Sequence, residues 1–344
     1  MFGVKTRIRR YLKNHYGLFD NPETIRLNPV GFMCNHSCPM CWRNQLPPEE
    51  RMNCIKDEKN RLTISEYLHL LQSLPRTVKN VDIVGGGEPL LFPEISELFK
   101  AIKKRGLCGR LITNGTFLNN KIATDLINFS WDMVRISFHA GSAETYKKVN
   151  GVDDYKRVVN NIRSLLLARK TKQVSKVSML FVIQRQNAKE VRDFALLAER
   201  LGVDEIEYDT LIPFTPKNIL LTAVQRTKLI QDLTELEKQL SVKNNIPHML
   251  YMFSVHPVWN NEIKRNYFKD KYCQIAQSEL FINSNGNIIP CCLAWEIKSK
   301  NIRSYSISKI WRYYRPFRRN LADGKFSPFC LKYCNYKLEK KRTK

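Results

Sequence analysis

The sequence of 344 residues predicts an α/β fold: a partial (β/α)6 parallel barrel followed by a small C-terminal extension made of a hairpin and a helix. Two patterns predict the barrel. Between Glu23 and Asp209 six short runs rich in β-branched and apolar residues alternate with longer amphipathic runs, and strands separated by helices pair as parallel βαβ units. Each short run is followed at once by a loop, the cysteine loop after the first and then Gly85–Pro89, Asn114-Gly115, His139–Gly141, Gln184–Asn187 and Leu211–Pro213, so those loops should share one rim at the strand C-termini. Six units fall short of the eight that close a barrel, so the sheet should stay open.

The strands are expected at Thr24–Val30, Asn80–Val84, Gly109–Thr113, Met133–Phe138, Val177–Ile183 and Glu205–Asp209. Helical periodicity places helices near Thr63–Leu74, Pro93–Lys104, Asn119–Phe129, Ala143–Arg169 and Ala188–Leu201. Thr63 with Glu66 three residues on forms a capping-box pattern. A polar helix follows at Thr222–Lys243, and then the character changes. The stretch Asn244–Tyr272 reads as irregular, with His248, His256, Pro247 and Pro257. Beyond it Asn285-Gly286 marks the turn of a hairpin between Glu279 and Pro290. A basic, aromatic helix from Ser308 to Asn320 should break near Pro316. The organisation expected is a basic N-terminal segment (1–22), the barrel (23–243) and a cysteine-bearing extension with a basic tail (244–344).

No window approaches 18 uninterrupted apolar residues, and the N-terminus lacks the apolar core of a secretory signal, so a cytoplasmic address is expected. Ten cysteines in that compartment argue against disulfides. Their clustering, at 34, 38 and 41 and then at 273, 291, 292, 330 and 334, suggests two metal sites. The formal charge is +25, part of which reflects a general richness in Lys, Ile and Asn. It is also uneven: eight Lys or Arg and no acid lie between Lys298 and Arg319, and five bases lie between Lys337 and Lys344. Such patches attract anions, whether phosphorylated substrate, nucleic acid, anionic lipid or an acidic electron carrier.

Cys34, Cys38 and Cys41 stand in the loop Gly31-FMCNHSCPMC-Trp42, spaced C-x3-C-x2-C. Three thiolates leave zinc one ligand short, whereas a [4Fe-4S] cluster held by three cysteines keeps one iron open. A strand later comes Gly86-Gly87-Glu88-Pro89. The pair of motifs resembles the radical S-adenosylmethionine (radical SAM) superfamily. The resemblance implies that the open iron chelates the amino and carboxylate groups of SAM, that the Gly86–Pro89 strand end approaches its amino group, and that one-electron cleavage yields a 5′-deoxyadenosyl radical. It further implies that Met40 and the apolar pair Leu211-Ile212 lie against the adenine, and that Asn114 and Ser137 reach the ribose and the methionine carboxylate. Asn150-Gly151 stands where many members carry Arg-Gly, which leaves any carboxylate contact from that point without its arginine.

The C-terminal pattern, Cys273, Gly286, Cys291 and then Cys330 and Cys334, is similar to the SPASM extension, in a shortened form with thiolates for one auxiliary [4Fe-4S] cluster. Cys292 could replace Cys291, and a four-cysteine zinc ribbon is the alternative reading. His139, Glu207 and Asp209, at or near strand ends, are candidates for acid–base work, with Asp209 preferred. Cys54, after the first cysteine loop, is a candidate hydrogen-atom donor. Arg185 and Lys217 are candidate anion clamps.

The N-terminal segment ahead of the barrel is too short for the peptide-binding module of many peptide-modifying relatives, so a small anionic substrate such as a sugar or nucleotide-sugar is expected. Dehydrogenation or epimerisation is the expected outcome, with an acidic donor such as flavodoxin or ferredoxin. Peptide maturation is the alternative within enzymes. From another class, a nucleic-acid or membrane-surface binder with structural zinc would use Trp311-RYYRPFRR as its platform.

Overall fold

All six expected strands form: β1 (Thr24–Leu27), β2 (Asn80–Ile83), β3 (Cys108–Thr113), β4 (Met133–Ser137), β5 (Lys176–Ile183) and β6 (Glu205–Thr210). The structure, a computed structural model, describes residues 21–46, 60–169, 176–211, 217–255, 271–291, 297–334 and 338–340, with isolated positions 49, 268 and 294. The six strands pair in sequence order and every pair is parallel. Right-handed crossovers place their helices on one face. The strand residues turned to that face are fully buried, among them Ile25, Val81, Leu111, Ile136, Phe181 and Ile206. The sheet is not closed: its order runs from a C-terminal hairpin at one edge to a short seventh strand at the other.

The capping box at Thr63 is present in full, the hydroxyl accepting from Glu66 N and the Glu66 carboxylate accepting from Thr63 N. The single helix expected over Ala143–Arg169 is two, Ala143–Asn150 and Tyr155–Arg169, because Gly151 takes a left-handed φ of 70° and ends the first. The helix expected over Thr222–Lys243 ends at Glu237, and Lys243 instead opens β7 (Lys243–Asn244), parallel to β6; the stretch expected to be irregular then contains the helix Ile246–Val255. Its two histidine- and proline-bearing patches concealed an apolar run, of which Met249, Met252 and Phe253 are buried. Asn245 fixes the entry, its side chain exchanging two 2.8 Å hydrogen bonds with the Tyr208 backbone in the manner of a strand partner.

Beyond β8 (Lys271–Tyr272) the predicted hairpin forms as β9 (Glu279–Ile282) and β10 (Asn287–Ile289), joined at its far edge by β11 (Lys300–Asn301). β9 lies parallel to β1, Thr24 opposite Glu279, so the extension's hairpin continues the barrel sheet. The basic helix breaks at Tyr314 into Ile307–Tyr313 and Arg315–Ala322, Pro316 sitting in the first turn of the second piece where its missing N–H does no harm. β12 (Glu339–Lys340) pairs antiparallel with β8.

Candidate active site

The inner face of the sheet is charged. Arg26 on β1 reaches Glu279 on β9 (2.7 Å) and Asp82 on β2 (3.6 Å), and Asp82 receives two hydrogen bonds from Arg110 on β3, of 2.5 and 2.9 Å. Further along, Arg135 on β4 makes a two-pronged contact with Glu207 on β6, 2.9 and 2.5 Å, across β5. Period-two alternation produces this face: each charged residue is flanked by neighbours that point into the helix layer.

At the C-terminal rim, the loop holding Cys34, Cys38 and Cys41 is drawn tight by the residues that follow it. The buried Arg43 guanidinium donates to Phe32 O (2.7 Å) and His36 O (2.6 Å), and Asn44 Nδ2 donates to Cys38 O (2.9 Å). With those carbonyls tied down, the loop presents backbone N–H groups and thiols instead; His36 N lies 3.4 Å from Cys34 Sγ, a contact that stabilises a thiolate. Burial and the neighbouring Cys41 and Cys34 push the Cys38 thiol up to about 12. Burial raises the Cys34 thiol as well, so neither of these two is a good free nucleophile, and the three sulfurs suit a multiply charged group as ligands. Among the described residues no three His, Cys, Asp or Glu groups converge as on a single metal ion, and a cluster that spreads its ligands over several irons makes no such demand.

The glycines after β2 serve that loop. A Cβ on Gly87 would stand 1.8 Å from Met33 O, and one on Gly86 would stand 2.9 Å from Gly31 O. Glu88 N donates to Met33 O at 2.7 Å, so the strand end is docked directly on the cysteine loop. The Glu88 side chain points elsewhere. It is buried and accepts from Leu90 N (3.0 Å), Thr113 Oγ1 (2.6 Å) and Asn114 N (2.8 Å), tying the ends of β2 and β3 together. Burial raises its pKa, and these three donors oppose that rise. Its carboxylate is therefore engaged within the protein, which leaves the backbone of 85–88 as the part that faces the rim. Pro89 opens a short 3-10 turn capped by Glu88.

The remaining rim residues meet the cysteine loop from other strands. Asn114, after β3, donates to Asn35 Oδ1 (2.8 Å) and lies 4.0 Å from Cys34 Sγ. Met40 Sδ receives Gln184 Nε2 at 3.6 Å from the end of β5. Ser137 is half-buried at the end of β4, and Leu211, just past β6, is buried. Cys54 and Ile212 lie outside the described residues, as do Cys292 and the Lys217 side chain. Arg185 is occupied with the chain, its Nε donating to Leu220 O at 2.8 Å.

Asn150 has a structural part in the site. Its side chain donates to Phe138 O (3.0 Å), its carbonyl accepts from Ser37 N (3.2 Å), and Cys38 Sγ rests 3.5 Å from that same carbonyl. A Cβ on Gly151 would come 2.7 Å from Ser37 O, so Asn-Gly here is a close-packed seat for the cysteine loop. Arg43, His36 and Gln184 also escaped the sequence reading. Arg43 alone left a signal, a lone cation two residues past the last cysteine.

His139 and Asp209 part company. His139 has a positive φ of 62° and is buried. Its Nδ1 accepts from Val182 N at 3.0 Å, and burial lowers its pKa to about 3. A ring whose acceptor nitrogen already holds a backbone N–H is a neutral structural link between β4 and β5, and this removes it from the set of available bases. Asp209 is exposed at the strand end, yet the surrounding protein pushes its carboxyl up to about 6, against the Thr210 N–H (2.7 Å) and Arg135, which lower it. A carboxylate titrating there is suited to exchanging protons near neutrality.

The C-terminal cysteines fall beside a second, smaller core. Cys273 is buried in it with Phe268, Ala276 and Leu321, and Cys330 and Cys334 pack against it. Antiparallel register places Ile289 opposite Phe281, and continued two residues it brings Cys291 opposite Glu279; Cys273 precedes the one-turn helix Ile275–Ser278 that leads into β9.

Comparison with known proteins agrees with this geometry. The profile of the radical SAM superfamily matches residues 28–198, and that of an iron–sulfur cluster-binding domain, SPASM, matches 273–335. A probable GTP 3′,8-cyclase of Saccharolobus islandicus is 29% identical over 228 residues, covering 65% of this chain and 67% of that protein. The corresponding protein of Saccharolobus solfataricus is 28% identical over 224 residues, with 65% and 67% covered. Among solved structures, Streptococcus suis SuiB superposes with a TM-score of 0.65 at 15% identity, covering 96% of this chain and 74% of that one. AdoMet-bound anSMEcpe superposes at 0.61 and 14%, covering 88% and 84%. The chain belongs to the radical SAM superfamily. Within it, the chain is a radical SAM enzyme with a SPASM-type C-terminal extension, whose cofactors are SAM, a [4Fe-4S] cluster and auxiliary iron–sulfur. Among the described residues no helix is long and apolar enough to cross a membrane.

Proposed function

We propose that the chain carries out radical chemistry on a small anionic substrate of the sugar, nucleotide-sugar or nucleotide class. When bound, the cluster and SAM supply a 5′-deoxyadenosyl radical that removes a hydrogen atom from substrate. Cys34, Cys38 and Cys41 would hold the catalytic cluster, and Cys273, Cys291, Cys330 and Cys334 the auxiliary one. The backbone of Gly86 and Gly87 with Met40, Asn114, Ser137 and Leu211 would line the SAM site.

One observation carries the substrate class: the inner face offers guanidinium groups of Arg110 and Arg135 that remain 35% and 29% exposed after pairing with carboxylates. A pocket walled by such groups favours an anionic, hydrogen-bonding ligand over an apolar one. The relatives at 28–29% identity are named for a reaction of GTP, which supports a phosphate-bearing substrate. Asp209, at the outlet of the same face, would take the proton released as a substrate alcohol is oxidised, or hold a hydroxyl during epimerisation.

The test is anaerobic reconstitution, followed by SAM reduction with nucleotides, nucleotide-sugars and sugar phosphates. Substrate-dependent 5′-deoxyadenosine release and deuterium transfer from labelled substrate are expected with one of these. Release stimulated only by peptide would overturn the substrate class in favour of peptide maturation.

A further inference from the structure

The C-terminal extension carries a charged surface that the rim does not use. Two of the basic residues between Lys298 and Arg319 already have partners within the chain. Arg318 is buried, its guanidinium 3.6 Å from the Trp311 ring centroid, and Arg303 pairs with Glu66 at 2.6 Å. Others face outward. Lys300, Lys309 and Arg312 gather with Tyr305 and Tyr313 around a cleft of about 620 Å3. Lys300 Nζ rides over the Tyr313 ring at 4.3 Å and over Tyr305 at 5.5 Å; Lys309 Nζ lies 4.9 Å from the Tyr305 centroid. No carboxylate lines the cleft among the described residues. Cations held on aromatic faces have little freedom left to lose when an anion arrives, which favours binding.

A second observation fixes where this cleft sits. Its wall residue Tyr313 stacks on Tyr314 at 5.1 Å, and Tyr314, which is buried, donates to Ile288 O at 2.7 Å. Cys291 is three residues past Ile288, at most about 11 Å of extended chain. The wall of the cleft is therefore tied, through Tyr314, to the strand that leads into Cys291.

We infer that the cleft docks the acidic face of a one-electron carrier protein, Lys300, Lys309 and Arg312 meeting its carboxylates and Tyr305 and Tyr313 forming the centre of the contact. The inference rests on the radical SAM reading, whose chemistry needs an outside source of electrons, and it assigns the place where that source sits. The exchange is balanced simply: one electron leaves the carrier's reduced flavin for each one the enzyme gains, and no other atom group is transferred. Other anionic occupants fit less well. The tyrosine faces that nucleobases would stack on are covered by lysines. Ile307, Ile310 and Trp311 of the helix Ile307–Tyr313 are buried in the protein, and the exposed Tyr313 carries Lys300 over its ring, so the helix offers no continuous apolar face to a bilayer.

The test uses reconstituted holoenzyme and flavodoxin hydroquinone. Binding is measured by titration across a range of salt, and 5′-deoxyadenosine release is driven in parallel by flavodoxin or by dithionite. The triple variant K300E/K309E/R312E should weaken flavodoxin binding by roughly tenfold or more and flatten its salt dependence, dithionite-driven release being unchanged. The milder K300Q/K309Q/R312Q variant, which removes the charges without reversing them, should fall between. Unaltered flavodoxin binding in both variants, or no saturable binding by the parent, would overturn the inference. So would a loss confined to poly(U) or anionic-vesicle binding. Absence of dithionite-driven release in the parent would count against the radical SAM reading alone, because the binding arm still decides the docking site.

Discussion

Replacing Gly87 with alanine should detach the cysteine loop without unfolding the barrel. The new methyl would stand 1.8 Å from Met33 O, with Met33 C at 2.5 Å, and both are backbone atoms that no rotamer change can move. An ordinary contact needs more than about 3.2 Å, so Met33 or the 85–88 segment must shift by more than about 1 Å. That shift breaks the 2.7 Å bond from Glu88 N to Met33 O, worth about 1 kcal/mol. Overpacking adds about 1–3 kcal/mol, for a total near 2–4 kcal/mol concentrated on the loop that holds Cys34, Cys38 and Cys41. The assay is iron and sulfide content after anaerobic reconstitution, read beside circular dichroism. The parent should hold about eight irons per chain and G87A about four, with the far-ultraviolet spectrum retained. Gly106, at a positive φ of 71° with open space around it, supplies the control: G106A strains only its own turn and should load iron as the parent does. Full loading and full SAM cleavage by G87A would refute the idea that this glycine exists to let β2 close on the cysteine loop.

Arg43→Ala should lose two charge-assisted bonds to loop carbonyls, 2.7 and 2.6 Å, and lower cluster occupancy, whereas Arg43→Lys restores one bond and about half the effect; iron analysis distinguishes them. Asp209 titrates near 6 when folded, above its usual 3.8. An acid shifted upward adds stability that is full below the unfolded pKa and declines as pH rises through about 6. D209N should therefore gain thermal stability relative to the parent at pH 7–8 but not at pH 4. If Asp209 is the base, parent turnover should also rise with pH through about 6 and the variant should lack that limb. His139 holds a left-handed φ of 62° and accepts from Val182 N. H139N, which tolerates that conformation and keeps an acceptor, should lose less stability than H139A, measured by denaturant midpoint, with about 1–2 kcal/mol between them.

Local chemistry explains what could be read in advance. The alternation of strands with helices, the capping box at Thr63 and the hairpin turn at Asn285-Gly286 are short-range patterns, and each is present in the structure, although the first strand stops at Leu27 and the polar helix at Glu237, short of their expected ends. The helix Ile246–Val255 was illegible because its entry is decided at long range, by Asn245 bonding to Tyr208 on another strand. Trp311 was read as part of an outward platform; it is buried under Arg318, since an aromatic in a basic run gives no sign of which way the helix turns.

Membership in the radical SAM superfamily was determined by the sequence alone, because three cysteines and a glycine-rich strand end need only their spacing along the chain to be recognised. Which atoms of those motifs face the site was decided by the tertiary structure. Glu88 turns inward to bind the end of β3, His139 is consumed by a backbone N–H, and Asn150 becomes the seat of Cys38. Packing alone could also gather Lys300, Lys309 and Arg312 beside two tyrosines, with no carboxylate lining their cleft among the described residues, while hiding Arg318 and pairing Arg303. Spacing is a property of the chain; the direction of a side chain and the company it keeps depend on residues dozens of positions away.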